Sequence, residues 1–226
     1  MKPIEKELSI IKKELNEMWN LVNSQLNIAG EALLSPDSEA ATQVLLRERK
    51  VNAYELKIDS DCEDAIALYA PVAIDLRFIL AVLKINTNLE RIADFAEGIA
   101  RFIITFPSLN MEAELLNNLR IERMVTELKE MLQLGQKAFN NENSLEAAQI
   151  FTKDALVDEI NNNAPEIISK YIEGNPERAL SGLNLIGIIR KMERVGDHCN
   201  NIAEEIIFFL DAKILKHNKN SSKEGE

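Results

Sequence analysis

Basic charge is the first thing this chain is short of. Its 226 residues carry 26 Lys and Arg against 37 Asp and Glu, a formal net charge of −11. A nucleic-acid binder needs a basic face to displace counterions, so the balance argues against DNA or RNA as a partner. Excess carboxylate suits hard cations or a basic partner surface instead. Cysteine is nearly absent. Cys62 and Cys199 lie far apart and without zinc-finger spacing, which fits two reduced thiols in a reducing cytoplasm rather than a disulfide framework. Cys199 falls on an apolar helical stripe and is expected to be a small buried hydrophobe. Glycine (8) and proline (6) are scarce and aromatics make up 5%, while Glu, Lys, Leu, Ala, Ile and Asn dominate, so the composition leans to helix. No apolar run approaches the ~18 residues a membrane-spanning helix needs. The candidate Ala65 to Ile74 is short and contains Pro71. The start, MKPIEKELSIIKKEL, carries acids and an amphipathic pattern in place of a continuous apolar core, unlike a signal peptide. There is no Gly-rich phosphate loop and no Ser/His/Asp or Cys/His set.

What is present is helical periodicity. Ile4, Leu8, Ile11, Leu15, Met18, Val22 and Leu26 recur at spacings of three and four, which predicts a helix from Lys2 to Leu34. Ser35 is a candidate N-cap with Pro36 at the first helical position of a second helix, which runs to Tyr69. Pro71 turns the chain into a third helix, Ala73 to Thr105, and Phe106-Pro107-Ser108 breaks it near the middle. A fourth helix is expected from Leu109 to Asn140, and a fifth from Leu145 to Ile172 after a polar turn. Gly174-Asn175-Pro176, with Asn175 as N-cap, starts a sixth that runs to Lys216. The pattern is all-α, two tandem antiparallel three-helix bundles, with residues 1–106 and 107–216 as the units and a polar, disordered tail over 217–226.

The halves echo one another. ERIADFAEGIA (90–100) and ERVGDHCNNIA (193–203) share Glu90/Glu193, Arg91/Arg194, Asp94/Asp197, Ile99/Ile202 and Ala100/Ala203. The apolar stripe of the third helix (Val82, Ile85, Leu89, Ile92, Ala96, Ile99) recurs at constant offset in the sixth (Leu185, Ile188, Met192, Val195, Cys199, Ile202). Each copy sets a Glu and an Asp four residues apart on one helical face, where like charges repel unless a cation lies between them. Such pairs are common by chance, roughly six in a chain this acidic. Glu55/Asp59, Asp59/Glu63 and Glu173/Glu177 therefore read as solvated faces. The shared surroundings set Glu90/Asp94 and Glu193/Asp197 apart. Their phase, just past the stripe, points them outward, so metal is expected on the flank of each bundle and not inside it. One helix supplies too few oxygens for a six-coordinate ion. Glu48 with Asn52, and Asp154 with Asp158, lie in matching phase on the preceding helices and are the candidates to complete the sites. The competing reading is a surface salt-bridge seam with Arg91, Arg194 and lysines. His198, next to Asp197, reads as a ligand or a pH-sensitive neighbour or, in the plainer reading, as a solvated histidine, and Arg77 as an anion ligand or an intrahelical ion pair.

PVAIDLRFILAVLKINTNLERIADFAEGIA (71–100), MERVGDHCNNIAEEI (192–206) and VNAYELKID (51–59) resemble the PhoU family of phosphate-uptake regulators, and the similarity runs from the first helix to Leu210. The resemblance implies two similar three-helix bundles, clusters of iron or zinc on carboxylate motifs, and no catalytic activity. It implies a homodimeric cytoplasmic adaptor, peripheral to the inner membrane through its partners. Those partners would be the nucleotide-binding subunit of the phosphate ABC transporter and the membrane sensor histidine kinase, with uptake and signalling restrained when phosphate is plentiful. Carried over by position, the metal ligands are Glu48, Asn52, Glu90 and Asp94 in the first half and Asp154, Asp158, Glu193 and Asp197 in the second. Ala93 stands where the family has Gly, which Gly196 keeps, and Gly98 where it has Asn, which Asn201 keeps. Since Asn52 is neutral, the first site is expected to hold metal more weakly. The alternative from another class is a carboxylate-bridged metalloenzyme on a helical bundle.

Overall fold

The computed structural model describes residues 3–106, 113–174 and 176–221, with side chains described as far as Asp211. Helices α1 (Pro3–Leu34), α2 (Ser38–Tyr69) and α3 (Ala73–Thr105) form the first bundle. Helices α4 (Ala113–Asn118), α5 (Ile121–Asn141), α6 (Ser144–Gly174) and α7 (Ala179–Ser221) form the second, with a 3-10 turn, Pro176–Arg178, leading into α7. The described residues contain no strand. The predicted break at Pro107-Ser108, the helix start at Leu109, the Asn175 cap and residues 222–226 of the predicted tail lie outside the described residues.

The apolar stripes do what their spacing requires. Ile11, Leu15, Met18, Val22 and Leu26 of α1 are buried, as are Val82, Ile85, Leu89, Ile92 and Ala96 of α3 and Leu185, Ile188, Met192, Val195 and Cys199 of α7. Where the structure departs from the sequence reading, local chemistry decides. Asp37, not Ser35, caps α2: its carboxylate accepts from the Glu39 and Ala40 amides at 2.9 and 3.0 Å. A charged acceptor serving two orphan N–H groups outcompetes a hydroxyl two residues earlier. Asn143 caps α6 in the same way, accepting from Leu145 and Glu146. The fourth helix is not continuous. Arg120 adopts a left-handed φ of 55° between α4 and α5, a conformation costly for a residue with a Cβ. The bend buries Leu115, Leu116 and Leu119, and Arg120 Nη1 bonds Glu159 at 2.8 Å. The sixth predicted helix runs past Lys216 to Ser221.

The two bundles do not keep separate cores. Their buried side chains form one continuous apolar cluster. Helix α3 lies antiparallel against α7, with Lys84 on Glu205, Asn88 on His198 and Gly98 against Lys191. Helices α1 and α5 close the other side of the contact. Trp19 is fully buried there, its indole N–H donating to the Leu132 carbonyl at 3.1 Å and its ring 6.0 Å from that of Phe139. Gly30 lets the helices approach: a Cβ at this position would stand 2.5 Å from a Val125 methyl carbon. At the rim of this contact an amide ladder of Asn16, Asn20, Asn23, Gln136 and Asn140 replaces charge with neutral hydrogen bonds.

Candidate functional site

Helices α2 and α3 carry the first cluster. Glu48 projects from α2 into near-complete burial, 5% exposed. One turn further along α2, Asn52 stands exposed, whereas Glu55, two turns from Glu48, is half-buried. Glu90 and Asp94 of α3 are half-buried. Burial pushes the Glu48 carboxyl above its ordinary value. A hydrogen bond from Gln25 works against that rise, and the charges of Asp94, Glu97 and Glu55 add to it. Burial pushes Glu90 up to about 7, with Asp94 adding and Arg91 opposing. Glu55 is raised by burial and by Asp59. Arg91 pairs with Asp94 at 3.1 Å and with Glu90 at 3.5 Å, so the salt-bridge seam of the competing reading is present at this cluster.

Helices α6 and α7 carry the second cluster. Asp154 is 8% exposed, Glu193 half-buried, and Asp158 and Asp197 exposed. Burial raises the Asp154 carboxyl, with Asp158 and Asp197 adding to it, and it raises Glu193 with help from Asp197, Asp158 and Asp154. Gly196 has a close-approach role: a Cβ there would stand 2.5 Å from Asp154 Oδ1. The carboxylate of α6 thus rests on bare α7 backbone between Glu193 and Asp197.

Seven of the eight predicted ligands therefore fall into two mutually repelling acidic groups, and Asn52 is the exception. Sequence reasoning missed Glu55. It lies in the same heptad phase as Glu48, and it restores to the first cluster the charge that Asn52 lacks, so both clusters hold four carboxylates. This removes the charge argument for a weaker first site. The outward picture also needs correction, because Glu48 and Asp154 reach the edge of the core. His198 is not a solvated histidine. Its Nδ1 lies 2.7 Å from Asn88 Oδ1, its ring packs 5.6 Å from Phe95, and burial lowers its pKa. Arg77 lies over the Phe208 ring.

Among the described residues no three His, Cys, Asp or Glu side chains converge as a ready-made metal site. The donor set nevertheless fits a cation. Glu48 Oε1 and Asp154 Oδ1 are buried without any hydrogen-bond partner, an expensive condition for carboxylate oxygens. Every candidate donor is an oxygen, which suits hard metal ions. A cavity of about 670 Å³ between α4, α6 and the 3-10 turn shares no residue with either cluster.

The raised carboxyls have a consequence for metal-free protein. Glu90, held up to about 7, stabilises the fold while protonated, at pH below its unfolded value near 4.5, and that stability is lost as pH rises through 7. Glu90→Gln is expected to raise the unfolding free energy of EDTA-treated protein at pH 8 by on the order of 1–3 kcal/mol, the gain shrinking towards pH 5. Comparing variant with parent isolates Glu90 from His198, whose lowered pKa acts in the opposite direction. Thermal unfolding of both proteins from pH 5 to 8 measures it. A gain that grows on acidification would refute the assignment.

A family model described as PhoU domain matches this chain twice, over residues 15–103 and 121–206. The first match falls on α1–α3 and the second on α5–α7. A curated protein of Thermotoga maritima named phosphate-specific transport system accessory protein PhoU homolog 1 is 32% identical over 213 residues, 94% of this chain and 90% of the relative. The crystal structure of PhoU from Pseudomonas aeruginosa superposes with a TM-score of 0.86 at 32% identity, covering 92% of this chain and 98% of the other. The phosphate transport system regulatory protein PhoU from Streptococcus pneumoniae shares the fold, with a TM-score of 0.78 at 24% identity over 91% and 96% of the two chains.

Proposed function

The chain belongs to the PhoU family, and on that footing we propose that it is an accessory regulator that restrains phosphate uptake. The family is one of regulatory accessory proteins and not of enzymes. The observation that carries the proposal is the double family match, spread over nearly the whole chain, with the acidic echo recurring in each copy. Residues 1–106 and 107–216 are its two units. It works in the cytoplasm as a homodimer, and no helix among the described residues is long and apolar enough to cross a membrane. It connects the nucleotide-binding subunit of the phosphate ABC transporter to the membrane sensor histidine kinase. Its acidic surface suits basic patches on those partners.

Each carboxylate cluster holds iron or zinc. Glu48, Glu90 and Asp94 with Glu55 would ligate in the first, and Asp154, Asp158, Glu193 and Asp197 in the second. Bound metal would supply positive charge among side chains that otherwise repel. Arg91 partly fills that role at the first cluster and would be displaced or shared. Regulation requires the adaptor to bind two states of its partner with different affinity. Affinity purification from cells grown in high and in low phosphate tests the adaptor role. The transporter subunit or the kinase is expected to co-purify, in amounts that differ between the two conditions. Recovery of folded protein free of both in each condition would contradict it.

A further inference from the structure

The buried carboxylate of each cluster is held by one amide, and the two amides come from different helices. Gln25 of α1, fully buried, donates through Nε2 to Glu48 Oε2 at 3.0 Å and to the Val44 carbonyl at 3.3 Å. Asn200 of α7 donates through Nδ2 to Asp154 Oδ2 at 2.5 Å. With the carboxylates ionised, as a bound cation requires, neither amide can be turned round, since that would set oxygen against carboxylate oxygen. Each leaves its own oxygen buried and unpartnered, Gln25 Oε1 and Asn200 Oδ1. Each such orphan costs free energy, and these two are the ones that sit on the inner carboxylates of the clusters.

The repeat makes the point sharper. The register that lays Glu48 on Asp154 lays Leu15, Val22, Leu26 and Leu33 of α1 on Ile121, Leu128, Leu132 and Phe139 of α5. In that register Gln25 falls on Met131, an apolar residue buried in the core. The α3–α7 register sets Asn200 opposite Glu97, which is paired with Arg101 at 2.7 Å. The duplicated unit therefore fixes its inner carboxylate twice, by unrelated positions. In both copies one carboxylate oxygen is tied to the amide and the other, Glu48 Oε1 or Asp154 Oδ1, is left without a partner. For Asp154 that free oxygen lies against Gly196, between Glu193 and Asp197.

We propose that Gln25 and Asn200 are positioning residues, each aiming the free oxygen of one buried carboxylate at the cation held by its own cluster. The idea rests on the metal-binding reading above and adds that the clusters are tuned independently, the first through α1 and the second through α7. Gln25→Met gives the first copy the residue the second already has, at nearly equal volume, and Asn200→Leu serves as its counterpart.

The test is calorimetric titration with Zn²⁺ in two backgrounds. Asp154→Asn with Asp197→Asn leaves the first cluster, and Glu90→Gln with Asp94→Asn leaves the second. Gln25→Met is expected to weaken Zn²⁺ binding about tenfold or more in the first background and to leave the second unchanged. Asn200→Leu is expected to do the reverse. Equal weakening in both backgrounds, or none in either, would overturn the positioning role and leave the metal reading standing. Absence of binding by the parent protein of both Zn²⁺ and, titrated without oxygen, Fe²⁺ would overturn both.

Discussion

Trp19→Ala is expected to lower the free energy of unfolding by about 3–5 kcal/mol, the range for truncating a large buried aromatic. Trp19 is the largest side chain at the contact between α1 and α5, and no part of it reaches solvent. Its loss opens a cavity beside Phe139 and Gly135, whose Cα approaches the indole so closely that an added Cβ would stand 3.1 Å from it. It also removes the hydrogen bond to the Leu132 carbonyl. Because the two bundles share one apolar cluster, the damage is expected to spread to both. Urea unfolding followed by far-ultraviolet circular dichroism should show one transition in parent and variant, with a lower midpoint in the variant. Two separated transitions, with Trp19→Ala shifting one of them, would show that the bundles are stable independently and that the shared core contributes little.

The second large effect concerns metal. Saturation at a hundredfold over Kd contributes about 2.7 kcal/mol per site by mass action, so two filled clusters contribute about 5 kcal/mol. In a chain of this length that corresponds to roughly 10–20 °C in the thermal midpoint. The rise is expected on adding iron or zinc to EDTA-treated protein and is expected to disappear in the double variant Asp94→Ala with Asp197→Ala. The mechanism is relief of like-charge repulsion. Glu48, Glu55 and Glu90 in the first cluster and Asp154 and Glu193 in the second are already lifted towards protonation, by burial first and by neighbouring carboxylates second, and a cation offsets both. Equal midpoints with and without metal would take the metal out of the account. The family membership would stand.

Much of this fold was legible because it rests on local rules. The bounds of α3 follow from an apolar period of 3.6 between Pro71 and Phe106, and the stripe continues through the acidic motif without interruption. The duplicated motif is also local, a string of eleven residues read twice. What escaped notice depends on competition or on contacts between distant helices. Ser35 and Asp37 are both acceptable caps, and the choice falls to whichever carboxylate or hydroxyl meets two amides at once. The bend at Arg120 has no Gly or Pro to announce it, because the left-handed turn is compensated by burying three leucines rather than by an easy backbone. In the sequence Glu55 reads as part of a solvated face, because acidic i,i+4 pairs are common by chance and Glu55/Asp59 has no echo in the other half. Asp59 instead accepts a hydrogen bond from buried Asn86, and the packing of α2 on α3 brings Glu55 within electrostatic reach of Asp94. His198 meets Phe95, its own counterpart in the other repeat, across the α3–α7 contact. No pattern within a single helix encodes that meeting.

The regulatory assignment comes down to what the chain does to phosphate entry. Uptake of radiolabelled phosphate should be measured in phosphate-replete cells of the parent organism, in cells with the gene deleted, and in deleted cells carrying the gene on a plasmid. The account predicts that deletion raises uptake several-fold and that the plasmid copy returns it to the parental rate. Equal uptake in all three, with the protein confirmed present in the first and third, would contradict it.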